Sequence, residues 1–229
     1  LAAVVRELDR SRPVTIGLNG LGSTGDWSEL DPVFAAVDVA GYNYELNDRH
    51  EGDLRRRPNR VIYASESYQR EAFLNWELMM RYPRIIGDFV WSAMDYLGEA
   101  GIGRVFPADE EARAHWEGEH FPWFGAACGD LDLTGFRKPA SFYREIVWGR
   151  GANLYAAVEV PSPDGKPWNP TNWAIPPMQA GWTWPGYEGK PLRLEVYSRY
   201  DAVRVVLNGE VMVEKLTGPE EAFKATLSI

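Results

Sequence analysis

The stretch that most constrains this chain is Val61-Ile62-Tyr63-Ala64-Ser65-Glu66-Ser67, an apolar strand pattern that runs directly into a carboxylate. A second apolar segment, beginning at Ile85-Ile86-Gly87-Asp88-Phe89-Val90-Trp91 and continuing to Tyr96, ends in an aromatic and polar cluster. Between them Phe73, Trp76 and Met80 recur at helical spacing, which predicts an amphipathic helix using that face. Two buried-type strands joined by a helix, each delivering polar groups at its C-terminal end, predict consecutive units of a parallel α/β barrel with a site at the rim.

The preceding residues extend the pattern. A helix over residues 2 to 9 leads through Arg12-Pro13 to a strand from Val14 to Asn19 and a Gly-rich loop. A helical turn near Pro32 to Ala36 leads to a strand from Val37 to Tyr44, ending in Asn43 and Tyr44. Alternating strands and helices with apolar strands imply a parallel sheet covered by helices. These units would make half of an eightfold barrel. An open doubly wound sheet is the alternative, and no Gly-rich phosphate loop of the required spacing follows any strand to favour it.

The character changes after Trp148. Residues 153 to 191 hold eight prolines and four tryptophans, and the segments 192–198 and 202–210 then alternate with period two, the second turning at Asn208-Gly209. That turn predicts a hairpin. The expected layout is a half barrel over residues 1–150 and the start of a β-sandwich over residues 151–229. The first residues, Leu1-Ala2-Ala3-Val4-Val5-Arg6, read as the middle of a helix, and Phe223 to Ile229 alternates like a strand whose partners lie further on. Both ends suggest a piece of a longer chain.

Composition narrows the partners. A 229-residue chain that is 45% hydrophobic can bury a core, and its formal net charge of -9 argues against nucleic acid or an anionic membrane as partner. The one basic run, Arg55-Arg56-Arg57 with Arg60, reads as a solvated loop. A single cysteine, Cys128, excludes an intramolecular disulfide, and His50, His115 and His120 lack ligand spacing, so neither a metal nor another cofactor is expected. No apolar run reaches membrane-spanning length and the first residues lack a signal-peptide layout. The compartment, cytoplasmic or exported, stays open.

Glu66 is the residue with the clearest chemical use. A carboxylate at a strand terminus is held by the sheet ladder and can be aimed closely enough to serve as a nucleophile in glycoside hydrolysis. The other reading is an acid satisfying the amides of the following helix. Trp91 and Tyr44 at strand ends, and Trp123 in Phe121-Pro122-Trp123-Phe124, are candidates to stack on a sugar, or core aromatics. Asn43 and Asn19 could hydrogen-bond hydroxyls or close turns. Ser65 and Ser67 flank Glu66 without a Gly-x-Ser-x-Gly elbow. The acidic stretch Asp109 to Glu119 reads as a solvated insertion without the pattern of a calcium loop.

Taken together these residues resemble glycoside hydrolase family 2, the β-galactosidase-like enzymes of bacteria. The resemblance runs through Arg12-Pro13-Val14-Thr15, Asp38-Val39-Ala40-Gly41-Tyr42-Asn43-Tyr44, Ala64-Ser65-Glu66-Ser67, the long run from Phe89 to Gly103, and Gly129-Asp130-Leu131-Asp132-Leu133-Thr134-Gly135-Phe136-Arg137-Lys138-Pro139. The run from Phe89 is the most specific. The resemblance implies a retaining β-glycosidase in which Glu66 is the nucleophile, Tyr44 hydrogen-bonds it, and Trp91 lies beneath the sugar. It also implies barrel strands five to eight followed by an immunoglobulin-like module containing Trp182-Thr183-Trp184 and Val205-Val206-Leu207-Asn208-Gly209.

The family's acid/base glutamate stands in an Asn-Glu pair, and no such dipeptide occurs here. The acid/base is therefore expected upstream of Leu1, and the chain alone is expected to be inactive. The substrate implied is a β-galactoside. The alternatives are β-glucuronidase or β-mannosidase activity, or a non-catalytic carbohydrate-binding module. Exposed barrel edges would favour a homo-oligomer.

Overall fold

A computed structural model of the chain describes residues 1–20, 25–107, 123–163 and 165–229. His115, His120 and the acidic stretch Asp109 to Glu119 lie outside the described residues. The chain divides into two compact units, Leu1–Trp91 and Ser92–Ile229.

In the first unit a helix α1 (Ala2–Leu8) precedes strand β1 (Thr15–Leu18). Arg6 reaches from α1 to the Ala36 carbonyl at 3.1 Å and to Asp38 at 3.0 Å. A 3-10 turn at Trp27–Leu30, started by the Asp26 carboxylate accepting from Ser28 N–H, runs into the short helix α2 (Asp31–Phe34), with Pro32 in its first turn. Then follow β2 (Val39–Asn43), α3 (Leu46–Arg56), β3 (Ile62–Ser67), a 3-10 turn at Gln69–Glu71, α4 (Ala72–Arg81) and β4 (Ile85–Val90). The strands form one sheet in the order β1-β2-β3-β4, every neighbouring pair parallel. The α/β alternation read from the sequence is present.

One face of this sheet is apolar. Ala40, Tyr42, Ile62, Ala64 and Ile85 join Trp27, Phe34, Leu46 and Met79 in the core. Trp27, Phe34 and Tyr42 pack ring against ring, with Trp27 edge-on to Tyr42 at 4.9 Å.

Two sequence expectations are corrected in this unit. In α4 the buried seam is Ala72, Asn75 and Met79, while Met80 is 59% exposed. The inward face is set one position earlier than the Phe73, Trp76 and Met80 stripe because Asn75 donates to Asp88 of β4 at 3.0 Å. The arginine run is likewise more than a solvated loop. It closes α3, where Arg56 and Arg60 bind the fully buried Asp53, and Arg56, Arg57 and Arg60 also pair with Asp31.

In the second unit the paired strands are antiparallel. Its first part holds β5 (Tyr96–Leu97), β6 (Val105–Pro107), β7 (Gly125–Ala126) and helix α5 (Pro139–Val147), with β5 paired to β7. Strands β8 (Leu154–Glu159), β9 (Trp168–Pro170), β10 (Met178–Gln179), β11 (Arg193–Ser198), β12 (Ala202–Leu207), β13 (Glu210–Leu216) and β14 (Lys224–Ser228) follow. Four of them form a sheet in the order β10-β8-β11-β14, β6 pairs with β9, and β12 and β13 form the expected hairpin. Asn208 and Gly209 turn that hairpin with φ of 51° and 88°, the double positive φ that an Asn-Gly turn supplies.

Val203, Val205 and Val213 of the hairpin lie against Val158, Leu194, Val196, Ala225 and Leu227 of the sheet, so two apolar faces close one core. Strand β14 pairs on one side with β11 and stands at the edge of this sheet. The boundary expected near residue 150 falls inside this unit. Phe142 of α5 stacks on Tyr155 at 4.0 Å, and Tyr143 meets Tyr197 at 4.9 Å, which ties the helix to the sheet.

Candidate functional site

All four strands of the first sheet run the same way, so their C-terminal ends lie along one edge. That edge carries Asn19 after β1, Asn43 and Tyr44 at the end of β2, Glu66 in β3 and Trp91 after β4. Polar groups outside the carboxyl ends of parallel strands are where ligands of such sheets bind. The sequence-predicted residues of the first unit are thereby brought to one side. Trp123, half-buried, belongs to the second unit.

Glu66 is half-buried and accepts from Asn43 Nδ2 at 2.7 Å. Asn43 Oδ1 in turn accepts from Ser65 Oγ at 2.6 Å. The described partner of the Glu66 carboxylate is the Asn43 side chain on the neighbouring strand, not an amide of the following 3-10 turn or of α4. A register shift produces this arrangement. Tyr42 pairs with Ala64 but Asn43 pairs with Glu66, so Ser65 is an extra residue on β3. The pairing of Ala64 with Asp88 and of Ser67 with Val90 shows the same extra residue from the other side. A regular strand would send Ser65 and Glu66 to opposite faces, whereas a bulge re-aims a side chain, and here both reach Asn43.

The neighbouring backbone is strained and close. Tyr44 has φ of 63°, the left-handed region that costs an aromatic residue energy and tends to be kept where surrounding structure over-determines it. Its amide donates to the Glu66 carbonyl at 2.8 Å and its ring stacks on Tyr68 at 4.5 Å. Burial raises the Tyr68 phenol above its ordinary pKa, and Arg70 lies over the Tyr68 ring at 4.8 Å. Trp91, half-buried, donates its amide to the Ser67 carbonyl at 2.9 Å and so prolongs the β3 to β4 ladder. Asn19 is exposed, and its Oδ1 accepts from Gly20 N–H at 2.8 Å, the local turn contact that the sequence left open.

Tyr68, Gly17 and Gly41 carry no site role in the sequence reading, and Ser65 stands there only as a flank of Glu66. A Cβ on Gly17 would lie 2.7 Å from Asn43 Oδ1 and 2.9 Å from Ser65 Oγ, and one on Gly41 would lie 2.7 Å from Ser65 Oγ. The two glycines make the space in which the polar set sits. A glycine two residues before each of Asn19 and Asn43 was the available signal. Among the described residues no cluster of His, Cys, Asp and Glu could hold a metal ion.

Solved structures define the class. A glycosyl hydrolase family 2 member from Bacteroides cellulosilyticus matches the whole chain at 36% identity with a TM-score of 0.82. A second family 2 member, from Bacteroides cellulosilyticus DSM 14838, matches it at 33% identity with a TM-score of 0.76. The chain covers 28% of the first protein and 26% of the second. A β-glucuronidase from Bacteroides uniformis shares the fold at 12% identity with a TM-score of 0.62, over 100% of this chain and 26% of its own. No family model and no curated protein matches the sequence. The matched proteins are glycoside hydrolases. For this stretch of chain the comparison bears out the family read from the sequence, glycoside hydrolase family 2.

Proposed function

We propose that this chain supplies the nucleophile side of the active site of a retaining β-glycosidase, with a terminal β-galactoside as substrate. Residues 1–150 are read as the second half of an eightfold barrel and residues 151–229 as part of an immunoglobulin-like sandwich. The observation that carries the reading is Glu66, a half-buried carboxylate at the C-terminal end of an inner parallel strand, held by Asn43 at 2.7 Å.

In this mechanism Glu66 attacks the anomeric carbon while a second carboxyl group protonates the leaving oxygen. The two groups stand about 5 to 5.5 Å apart in retaining enzymes, and water later releases the sugar with the first configuration restored. Tyr44 is proposed to orient Glu66, Trp91 to carry the sugar's CH face, and Asn43 and Asn19 to contact hydroxyls. The acid/base carboxylate is proposed to come from outside these 229 residues, since the family's Asn-Glu pair is not in the sequence. On that basis the chain alone does not turn over substrate. The exposed Ile86 and Phe89 of the end strand β4 support closure of this sheet by further strands or by a second copy.

The test is hydrolysis of nitrophenyl β-galactoside, β-glucuronide and β-mannoside by the full-length protein carrying this chain, with proton NMR of the first product. Preference for the galactoside and a first-formed β-anomer are expected. An initial α-anomer refutes the retaining mechanism, and preference for another glycoside reassigns the sugar.

A further inference from the structure

The extra residue in β3 has a chemical consequence beyond the choice of nucleophile. An ionised carboxylate can only accept hydrogen bonds, so Glu66 requires the NH2 end of the Asn43 amide, and Nδ2 stands 2.7 Å from Oε1. The carbonyl end of the same amide is then committed to the other side, where Ser65 Oγ donates at 2.6 Å. We propose that Ser65 is a positioning residue that pins the Asn43 amide from behind and through it aims the Glu66 carboxylate. The inference rests on the reading of Glu66 as nucleophile.

Three features of the fold serve this relay. The register shift at Ser65 places two consecutive residues of β3 on one partner in β2. Gly17 and Gly41 leave the volume that the hydroxyl and the amide oxygen fill, with hypothetical Cβ distances of 2.7 to 2.9 Å. Ser65, Asn43 and both glycines lie within adjacent hydrogen-bonded strands, whose backbones hold the relay on rigid elements. Without the Ser65 hydroxyl the amide oxygen loses its partner at 2.6 Å, only the bond to Glu66 is left to fix the tilt of the amide, and the carboxylate is aimed less closely.

The experiment uses the full-length protein carrying this chain, as wild type and as Ser65→Ala and Ser65→Thr. Pre-steady-state bursts with a dinitrophenyl glycoside give the rate of glycosyl-enzyme formation, a 2-deoxy-2-fluoro glycoside gives the labelled residue, and side-chain amide NMR reports Asn43 directly. Ser65→Ala is expected to slow formation about 10- to 100-fold, the scale of a misplaced reacting group, with apparent substrate affinity changed less than about threefold. Its Asn43 amide protons should exchange faster with solvent. Ser65→Thr, which keeps the hydroxyl, is expected to restore both readouts. A labelled wild type whose Ser65→Ala variant reacts at the wild-type rate overturns this inference alone. So do two variants that are equally slow while the Asn43 amide signal stays at its wild-type position. A wild type in which Glu66 takes no label overturns the nucleophile reading, and the inference with it.

Discussion

Asp53→Asn should unfold the first unit more readily than any single exposed charge change. The Asp53 side chain is 0% exposed and receives the Tyr42 hydroxyl, Arg56 Nη2 and, at 2.6 Å, Arg60 Nη1. An asparagine offers these three donors one carbonyl oxygen and confronts at least one of them with its own NH2. Breaking a buried ion pair by removing one partner costs about 3 to 5 kcal/mol. Arg60 keeps Asp31 at 2.8 Å and Arg56 is 36% exposed and can hydrate, so the lower end, about 3 kcal/mol, is expected here. With a urea slope of about 1 to 3 kcal/mol per molar, the midpoint should fall by roughly 1 to 3 M. Tryptophan fluorescence reads the transition, because Trp27 sits 4.9 Å from the Tyr42 ring. Arg12→Gln is the control, since it lies in the same unit and its pair with Asp9 is 80% and 35% exposed and should be worth less than about 1 kcal/mol. Equal midpoint shifts for the two variants would show that the buried cluster contributes no more than a surface pair.

The same cluster sets an acid limit. Burial alone would raise the Asp31 carboxyl, but hydrogen bonds from Arg60 and Arg57 and the charges of Arg60 and Arg56 outweigh it and hold its pKa below the usual carboxylate value. Its contribution is therefore full above the unfolded value, about 3.9, and is lost as pH falls through the lower folded value. Stability measured by urea titration from pH 6 downward should fall less steeply in Asp31→Asn than in wild type. Gly41→Ala should destabilise by about 1 to 3 kcal/mol, because the new Cβ would meet the Ile16 carbonyl oxygen at 2.6 Å. Gly52→Ala in α3, where nothing lies within 4 Å, should instead stabilise by about 0.5 to 1 kcal/mol. Thermal melts of the two glycine variants check the opposite signs. Gly209→Val, at φ of 88°, should cost about 1 to 2 kcal/mol and raise amide exchange in β12 and β13.

Elements whose signal is local were legible in the sequence. The apolar runs ending at Asn43, Glu66 and Trp91 are strands because buried parallel strands need continuous apolar side chains, and Asn208-Gly209 turns a hairpin because its φ values suit those residues. Helix α3 was not legible. Its sequence Leu46-Asn-Asp-Arg-His-Glu-Gly-Asp-Leu-Arg-Arg56 is polar with a mid-helix glycine, and what holds it is tertiary: Leu46 in the core and Asp53 beneath Tyr42 and Arg60. The α4 seam lies one position before the stripe that hydrophobicity alone predicts, because the buried place goes to Asn75 through its bond to Asp88 and not to Phe73 or Trp76. At the site, Glu66, Asn43, Tyr44 and Trp91 could be picked out as strand-end residues. Ser65 could not, since strict alternation puts it on the face opposite Glu66, and only the register shift against both neighbouring strands reveals that they share Asn43.

In a retaining reaction at this site Glu66 becomes covalently glycosylated. The most direct measurement is peptide mass spectrometry of the full-length protein after reaction with a dinitrophenyl 2-deoxy-2-fluoro-β-galactoside, whose leaving group needs no acid assistance. One fluoro-sugar per protein is expected, on the peptide containing Ala64-Ser65-Glu66-Ser67, with the adduct abolished in Glu66→Gln. An adduct on Asp95 or Glu99, or turnover of substrate that persists in Glu66→Gln, would contradict this assignment.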